Sequence, residues 1–300
     1  MESRLLSAAK RHVDALASGV MAKPIPGLTI VHAASPSPLL YSISRPMICM
    51  VQQGGKRVTM GTEDFDFAAG ESLLITADVP TVSQITKASI AAPYLSVCME
   101  LDAGLVAALS EEIGVVGEVD EKPVRVDPAD AEVADALLRL VRLLDRPMAA
   151  EILQGSLVRE LHYWLLMGRH GSALRKLAKA NGNAQRVARA VAMIRAEFDK
   201  PLTVERLAAV AGMSQSAFHQ HFLTVTSLTP LQFQKHLRLV EARRLMQAEG
   251  ATASRAAFAV GYESVPQFTR EYGRMFGQSP ARDARFGRKT ECESSASAAR

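Results

Sequence analysis

A short pattern between Thr203 and Phe222 constrains the fold of this chain more than any other feature. Apolar residues at helical spacing predict a first helix with one buried face. Gly212 then allows the chain to turn at positive φ. Phe218 and Phe222 lie four residues apart, so they share one face of a second helix and can pack against the first. Thr203 and Ser214 are suitable N-caps. The pattern predicts a helix-turn-helix.

The same pattern returns about fifty residues later, with Gly261 at the turn and Phe268 and Tyr272 as the buried pair. The second turn is one residue longer than the first. Between the copies, the periodicity predicts one helix over Leu231–Gln247, roughly 25 Å long. That length is of the order needed to separate two recognition helices by one turn of DNA, roughly 34 Å. A plain α-helical domain is the alternative, and the repeat makes it the weaker interpretation.

The residues from Val187 to Phe286 resemble the two-motif DNA-binding domain of the AraC/XylS family of bacterial transcription regulators. The resemblance rests on five motifs: Leu207–Ser214 (LAAVAGMS), Leu237–Met246, Ala257–Ser264, Gln267–Tyr272 and Phe276–Pro280. It implies that base-facing side chains occupy both second helices: Ser216, His219 and Gln220 in the first motif, and Val265, Pro266, Gln267 and Arg270 in the second.

The basic residues of the chain are concentrated beside these motifs. Residues 1–180 hold 18 Lys/Arg and 21 Asp/Glu, a net −3, whereas residues 181–300 hold 17 and 10, a net +7. A basic half is expected where a protein replaces counterions on phosphate, although a solvated basic surface gives the same charge. Six side chains are candidates for phosphate contacts, which position a protein without reading sequence: Lys235, Arg238, Arg243, Arg244, Arg255 and Arg274.

The first part of the chain has a different character. Short apolar runs separated by Pro and Gly between residues 25 and 101 predict strands of a small antiparallel barrel or sandwich. Gly54-Gly55 predicts a hairpin between the runs on either side. Helices are expected over 3–18, 103–113, 129–144 and 147–167. The segments Pro46–Val58, Ala69–Ile75, Ala92–Leu95 and His170–Ala178 resemble the cupin-like N-terminal domain of one branch of the same family.

The expected fold class is therefore α+β, with an N-terminal cupin-like β-barrel and flanking helices, and a C-terminal all-α domain with two helix-turn-helix motifs. We expect the domains to span 20–180 and 184–286, with a polar linker over 168–185 and a disordered tail over 287–300. The apolar stripe of the 147–167 helix either packs on the barrel or faces a second subunit.

Other features exclude whole classes of protein. Three widely spaced cysteines without a Cys-x-x-Cys pair argue against a disulfide framework or zinc site. The N-terminus lacks a signal-peptide core, and no run of eighteen apolar residues occurs, so a cytoplasmic protein is expected. No histidine lies between residues 33 and 161, where a cupin metal site would need ligands. We therefore expect no metal, no cofactor and no enzymatic activity.

A barrel of this size can hold one small ligand. Four side chains are candidates to line it, although an ordinary core or rim position is the default interpretation of each: Tyr41, Cys49, Tyr94 and Cys98. The two thiols also suggest a redox or electrophile sensor.

The sequence thus predicts a sequence-specific regulator of transcription that binds double-stranded DNA at promoters. The N-terminal domain is expected to bind a small-molecule effector, to form a homodimer, or both, and RNA polymerase is a partner if the protein activates. A DNA-bending architectural protein with little sequence preference is the alternative. A ligand-binding module without DNA binding is the third class considered.

Overall fold

The protein is described by a computed structural model that covers residues 3–13, 21–114, 123–178 and 183–284. The described chain is α+β and divides into two compact units, Met1–Gln185 and Arg186–Arg300. The strands lie in the first unit, and the elements described in the second unit, up to residue 284, are helices. The predicted fold class is confirmed. The tail expected over 287–300 lies outside the described residues.

The elements of the first unit follow in chain order. Its helices are α1 (Arg4–Val13), α2 (Ala103–Ile113), α3 (Ala131–Arg142), α4 (Pro147–Met167) and α5 (Gly171–Ala178), with a 3₁₀ turn at Leu143–Asp145. Its strands are β1 (Met21–Ile25), β2 (Leu28–Ala33), β3 (Leu40–Ser44), β4 (Met47–Gln53), β5 (Gly55–Met60), β6 (Glu63–Ala68), β7 (Glu71–Ile75), β8 (Val79–Lys87), β9 (Tyr94–Glu100) and β10 (Val124–Pro128).

The strands form two antiparallel sheets. The larger has the order β1-β2-β9-β4-β7-β10, and the smaller has the order β3-β8-β5-β6. Because successive side chains on a strand point to opposite faces, β9 divides into two sets. Leu95, Val97 and Met99 join the core cluster formed with the helices, and Tyr94, Ser96 and Cys98 point to the other face of the sheet.

The sequence does not predict two strands of the larger sheet, and both lie at its edges. β1 contains Pro24, and β10 ends at Pro128. Proline cannot donate to a neighbouring strand, so it is tolerated at an edge and weakens the sequence signal for a strand.

The hairpin predicted at Gly54-Gly55 is wrong. β4 belongs to the larger sheet and pairs with β7 and β9, whereas β5 belongs to the smaller and pairs with β6 and β8. Gly54, at φ +83°, carries the chain from one sheet to the other. A Cβ there would lie 2.4 Å from the backbone oxygen of Lys87, so this crossing requires glycine.

The polar linker predicted over 168–185 is also wrong over much of its length. Residues Gly171–Ala178 form α5, and Ala173 and Leu174 are fully buried in the core of the first unit. These apolar side chains outweigh the flanking Gly and Asn residues that suggested a linker.

The apolar stripe of α4 is divided between two environments. Leu161 and Leu165, in its C-terminal half, are fully buried in the core cluster. Met148 and Ile152, in its N-terminal half, are 80% and 78% exposed. The C-terminal half of the stripe therefore packs in the core of the first unit, while contact of the N-terminal half with a second subunit stays a prediction.

The second unit contains six helices in the described range. They are α6 (Asn183–Ala196), α7 (Val204–Ala211), α8 (Gln215–Thr226), α9 (Pro230–Ala248), α10 (Ala253–Ala259) and α11 (Val265–Phe276), followed by a helical turn over 280–284. The predicted connecting helix is α9, which begins with a capping box at Thr229 and a proline at N1. Among the helices described in both units, none has the length and apolar character needed to cross a membrane.

Candidate nucleic-acid interface

The first helix-turn-helix consists of α7 and α8. Thr203 caps α7 by accepting from the backbone N–H of Arg206 at 3.3 Å, and Ser214 caps α8 by accepting from Ala217 at 3.4 Å. Gly212 closes α7 in the left-handed conformation, at φ +65°. A Cβ there would meet only the ends of arginine side chains, the nearest at 3.5 Å. The turn therefore needs glycine for its backbone conformation rather than for space.

The two faces of α8 differ as the sequence predicts. Phe218 and Phe222 are fully buried and stack edge to face, with ring centroids 5.3 Å apart. Ser216, His219 and Gln220 are exposed on the opposite side. A buried aromatic pair holds the helix from behind and presents a polar surface of hydrogen-bonding groups.

The second helix-turn-helix consists of α10 and α11, capped by Thr252 and Ser264. Its turn glycine, Gly261, has φ +85°. A Cβ at this position would lie 1.9 Å from the backbone oxygen of Asp199 and 3.0 Å from an Arg238 nitrogen. Here glycine is needed for the close approach of another segment as well as for the turn.

Helix α11 likewise has a buried aromatic face, formed by Phe268 and Tyr272. On the other side, Pro266, Gln267 and Arg270 are exposed, and Val265 is half-buried. Gln267 Nε2 donates to Glu271 Oε1 at 3.2 Å, so its amide already has a partner on its own helix.

Arg238 and Gln234, on α9, connect the two motifs. Arg238 donates to the backbone oxygens of Phe198 (2.6 Å), Lys200 (3.1 Å) and Gly261 (2.8 Å). Gln234 Nε2 donates to the same Phe198 and Lys200 oxygens. The loop before α7 and the turn between α10 and α11 are therefore held on one helix.

Arg243, also on α9, binds the buried carboxylate of Asp283, which lies in the helical turn over 280–284. Arg243 Nε lies 2.8 Å from Asp283 Oδ2, and its guanidinium lies 4.9 Å from the Phe276 ring centroid. Tyr272 and Gln278 also donate to Asp283, at 2.6 and 2.7 Å. Sequence reasoning did not identify this cluster, because nothing in the local pattern marks Asp283 as buried.

Lys235 forms an ion pair with Glu271 at 2.9 Å. Tyr262 also donates to Glu271, at 2.8 Å. Burial raises the pKa of Glu271, but the hydrogen bonds from Lys235, Tyr262 and Gln267 outweigh burial and lower it. The charge of Lys235 is thus balanced within the domain.

The other three phosphate candidates are exposed. Arg244 pairs with Glu241 and Glu249. Arg255, on α10, and Arg274, on α11, are exposed. These three side chains can contact a phosphate without any change in the core of the domain.

The ligand candidates of the first unit lie on both sheets. Cys49, Tyr94 and Cys98 are buried on the two central strands of the larger sheet, and half-buried Tyr41 lies on β3 of the smaller. The Tyr94 hydroxyl is buried beside Ser96 and the two cysteine thiols. No group of three or more His, Cys, Asp or Glu that could hold a metal ion is found in the described ranges.

The structure also brings together Ser72, His170 and Asp127, a combination that sequence order did not reveal. Ser72 Oγ lies 3.2 Å from His170 Nε2, and His170 Nδ1 lies 3.5 Å from Asp127 Oδ2. The order resembles a hydrolase triad, but Ser72 and His170 are 0% and 1% exposed. Arg125 also binds the Asp127 carboxylate. The contact therefore joins β7, β10 and the start of α5 as a buried structural link.

Two protein-family models match the chain. The N-terminus of AraC-type transcriptional regulators matches residues 24–173, and a helix-turn-helix domain matches residues 207–285. The MmsAB operon regulatory protein of Pseudomonas aeruginosa is 31% identical over 90 residues, 30% of this chain and 29% of the relative. The transcriptional activator RhaS of Escherichia fergusonii is 28% identical over 162 residues, 53% of this chain and 56% of the relative. The chain thus matches about half or less of the length of these curated relatives.

Solved structures of ToxT from Vibrio cholerae share the fold. The complex of ToxT with an unsaturated fatty acid has a TM-score of 0.58, covers 86% of this chain and 93% of its own, and is 9% identical. The complex with (E)-4-(8-methylnaphthalen-1-yl)but-3-enoic acid has a TM-score of 0.59 and covers 87% and 98%. With both units accounted for by the family models and the fold, the chain belongs to the AraC/XylS family of bacterial transcription regulators.

Proposed function

We propose that this chain is a transcription regulator that binds specific sites on double-stranded DNA through α8 and α11. The observation that carries the proposal is the repeated construction of these helices. Each is capped by a serine, fixed from behind by at least two buried aromatic rings, and exposed on the opposite face. Nineteen residues of α9 separate the motifs, about 28 Å of helix, which suits two successive segments of one DNA face.

The base-reading residues in this proposal are Ser216, His219 and Gln220 on α8, and Gln267 and Arg270 on α11. Arg270 is the strongest reader of the second motif, because an exposed guanidinium can bind guanine O6 and N7 together. Val265 and Pro266 contribute apolar contact with a thymine methyl.

In this proposal, phosphate groups are bound by the exposed cations Arg244, Arg255 and Arg274. Lys235 can also bind phosphate through the N–H groups of its ammonium that Glu271 does not use. Arg238 and Arg243 take a structural role instead, since both guanidinium groups are already bound to groups of the protein. Moving Arg238 to a phosphate would break three hydrogen bonds to backbone oxygens, and moving Arg243 would take the paired cation away from the buried Asp283 carboxylate.

The first unit serves as the regulatory domain in this proposal. ToxT, which shares the fold, is bound to an unsaturated fatty acid in one structure and to (E)-4-(8-methylnaphthalen-1-yl)but-3-enoic acid in another, and this supports a small-molecule effector for the present chain. The exposed apolar residues of α4, Met148, Ile152 and Leu153, support a homodimer contact. RNA polymerase is a further partner if the regulator activates transcription.

The test begins with a genome-wide map of where the protein binds, followed by affinity measurements on the strongest site and a scrambled site. Arg270→Ala should weaken cognate binding by the equivalent of about 1–3 kcal/mol and relax base preference at one position. Arg255→Ala is the matched control, because it removes the same guanidinium from a predicted phosphate contact. It should weaken both sites alike and reduce the salt slope by about one.

Equal losses on cognate and scrambled DNA for Arg270→Ala would contradict its role as a base reader. Wild-type affinities that hardly differ between the two sites would favour the architectural alternative. If no salt-dependent DNA binding occurs, the proposal fails as a whole.

A further inference from the structure

The two buried cysteines of the first unit lie directly opposite each other on neighbouring strands. Cys49 on β4 and Cys98 on β9 are register partners in an antiparallel pair. At the start of this pair, the Leu101 N–H donates to the Pro46 oxygen at 2.9 Å, which makes that position a hydrogen-bonded pair. Since the two kinds of pair alternate, the cysteines three positions along occupy a non-hydrogen-bonded pair.

This position suits a disulfide. Cα atoms of a non-hydrogen-bonded pair lie about 4.5 Å apart, and their side chains project side by side from the same face. Natural disulfides join Cα atoms separated by about 4.4–6.8 Å. The backbone register therefore already provides the geometry that most pairs of thiols lack.

The surroundings favour the ionisation of one thiol. A hydrogen bond from Cys98, with the nearby charge of Lys56 on β5, outweighs burial and lowers the pKa of Cys49. The same hydrogen bond and burial raise the pKa of Cys98. Ser96 Oγ also lies 3.8 Å from Cys98 Sγ. The pair therefore releases its first proton more readily than its second, which is the arrangement of an attacking thiolate beside a resolving thiol.

We propose that Cys49 and Cys98 form a reversible redox pair that closes to a disulfide when a hydroperoxide reaches it. The Cys49 thiolate attacks the peroxide oxygen, the O–O bond breaks, and the leaving oxygen takes a proton to become an alcohol or water. Cys49 is then a sulfenic acid. The Cys98 sulfur attacks the Cys49 sulfur, the S–S bond forms, and the hydroxyl leaves with the Cys98 proton as water. The two thiols are oxidised, and the peroxide is reduced.

The product would link the two central strands of the larger sheet. Both are already hydrogen-bonded to each other, so the cross-link requires no rearrangement of the sheet. It would replace two polar S–H groups next to the buried Tyr94 hydroxyl, and so change the face of the sheet that lies away from the helices. This inference rests on the sheet alone and does not depend on DNA binding.

The third cysteine, Cys292, lies outside the described residues and supplies the reference variant. The full-length Cys292→Ser protein is exposed to hydrogen peroxide, quenched, unfolded in the presence of N-ethylmaleimide, and analysed by mass spectrometry. We expect both remaining thiols to escape alkylation together. A linked peptide containing Cys49 and Cys98 should be two hydrogens lighter than the reduced pair, and dithiothreitol should restore both thiols.

The second variant, Cys49→Ser in the Cys292→Ser background, should keep its single thiol alkylatable under the same treatment. Circular dichroism before and after oxidation ensures that the reaction occurs in the folded protein. Two results would overturn the proposal: both thiols remaining fully alkylatable in native protein over the whole peroxide range, or oxidation only to sulfinic and sulfonic acids without the linked peptide.

Discussion

The turn glycines of the two motifs offer a direct test of how the second unit is held together. Both Gly212 and Gly261 have positive φ, so alanine at either site incurs the left-handed strain of about 1–2 kcal/mol. The nearest atom to a new Cβ differs between them. At Gly212 it is a flexible arginine nitrogen at 3.5 Å, whereas at Gly261 it is the Asp199 backbone oxygen at 1.9 Å.

The clash at Gly261 determines the expected difference in stability between the two alanine variants. Real Cβ contacts are rarely shorter than 3.0 Å, so the 1.9 Å contact requires the Asp199 carbonyl to move by more than 1 Å. That carbonyl lies between Phe198 and Lys200, whose oxygens accept from Arg238. Hydrogen bonds to a charged donor contribute about 1.5–3 kcal/mol each. We therefore expect Gly212→Ala to cost about 1–2 kcal/mol and Gly261→Ala about 3–5 kcal/mol.

The two units can be followed separately in the full chain. The single tryptophan, Trp164, lies on α4, so its fluorescence reports the first unit. The helical circular dichroism signal comes from both units, so it also reports the unfolding of the second unit. Urea unfolding should show an earlier helical transition for Gly261→Ala than for Gly212→Ala, with the fluorescence transition unchanged in both. If the two substitutions lower stability equally, the close approach to Asp199 does not hold the domain together, and the reasoning is refuted.

Two other predictions concern the first unit. His162 is fully buried, its Nε2 accepts from the Asp102 N–H, and burial lowers its pKa below 6.5, so the unfolded chain protonates first. The stability of this unit should therefore decrease as pH falls below about 6.5, and His162→Gln should reduce that loss in fluorescence-detected unfolding; an unchanged pH dependence would assign the loss to other groups. Ile152→Glu, which places a charge on the exposed part of α4, should weaken a homodimer by about 2 kcal/mol or more in sedimentation equilibrium, while Glu151→Gln should not. A monomeric wild-type protein would exclude this interface.

The strands of the first unit are predictable where apolar residues form a continuous run. The apolar runs Tyr94–Glu100 and Ser72–Thr76 predict β9 and β7 within one residue, because a buried strand leaves an uninterrupted apolar signal. The edge strands do not, since Pro24 and Pro128 remove that signal. The turn at Gly54 shows another limit. A glycine pair between two strands indicates a change of direction but does not reveal whether the second strand continues in the same sheet.

The candidate interface, likewise, is only partly predictable from the sequence. The caps and buried aromatic rings follow from local periodicity, so the faces of α8 and α11 could be assigned from the sequence. The roles of basic residues could not. Arg238 and Arg243 look like phosphate-binding residues in a basic sequence, but their partners are backbone oxygens and a carboxylate about forty positions away. Long-range polar contacts of this kind leave no periodic signal.

The attachment of both motifs to α9 has a consequence for the DNA sites expected under the proposed function. Gln234 and Arg238 bind the segment before α7, and Arg238 also binds the turn after α10, so these hydrogen bonds oppose movement of one motif relative to the other. Each base pair inserted between two half-sites rotates the second by about 35° around the DNA axis. A domain held in this way resists that rotation. If the proposed function is right, we therefore expect the length of the spacer to be part of the recognition sequence, even though no side chain needs to touch it.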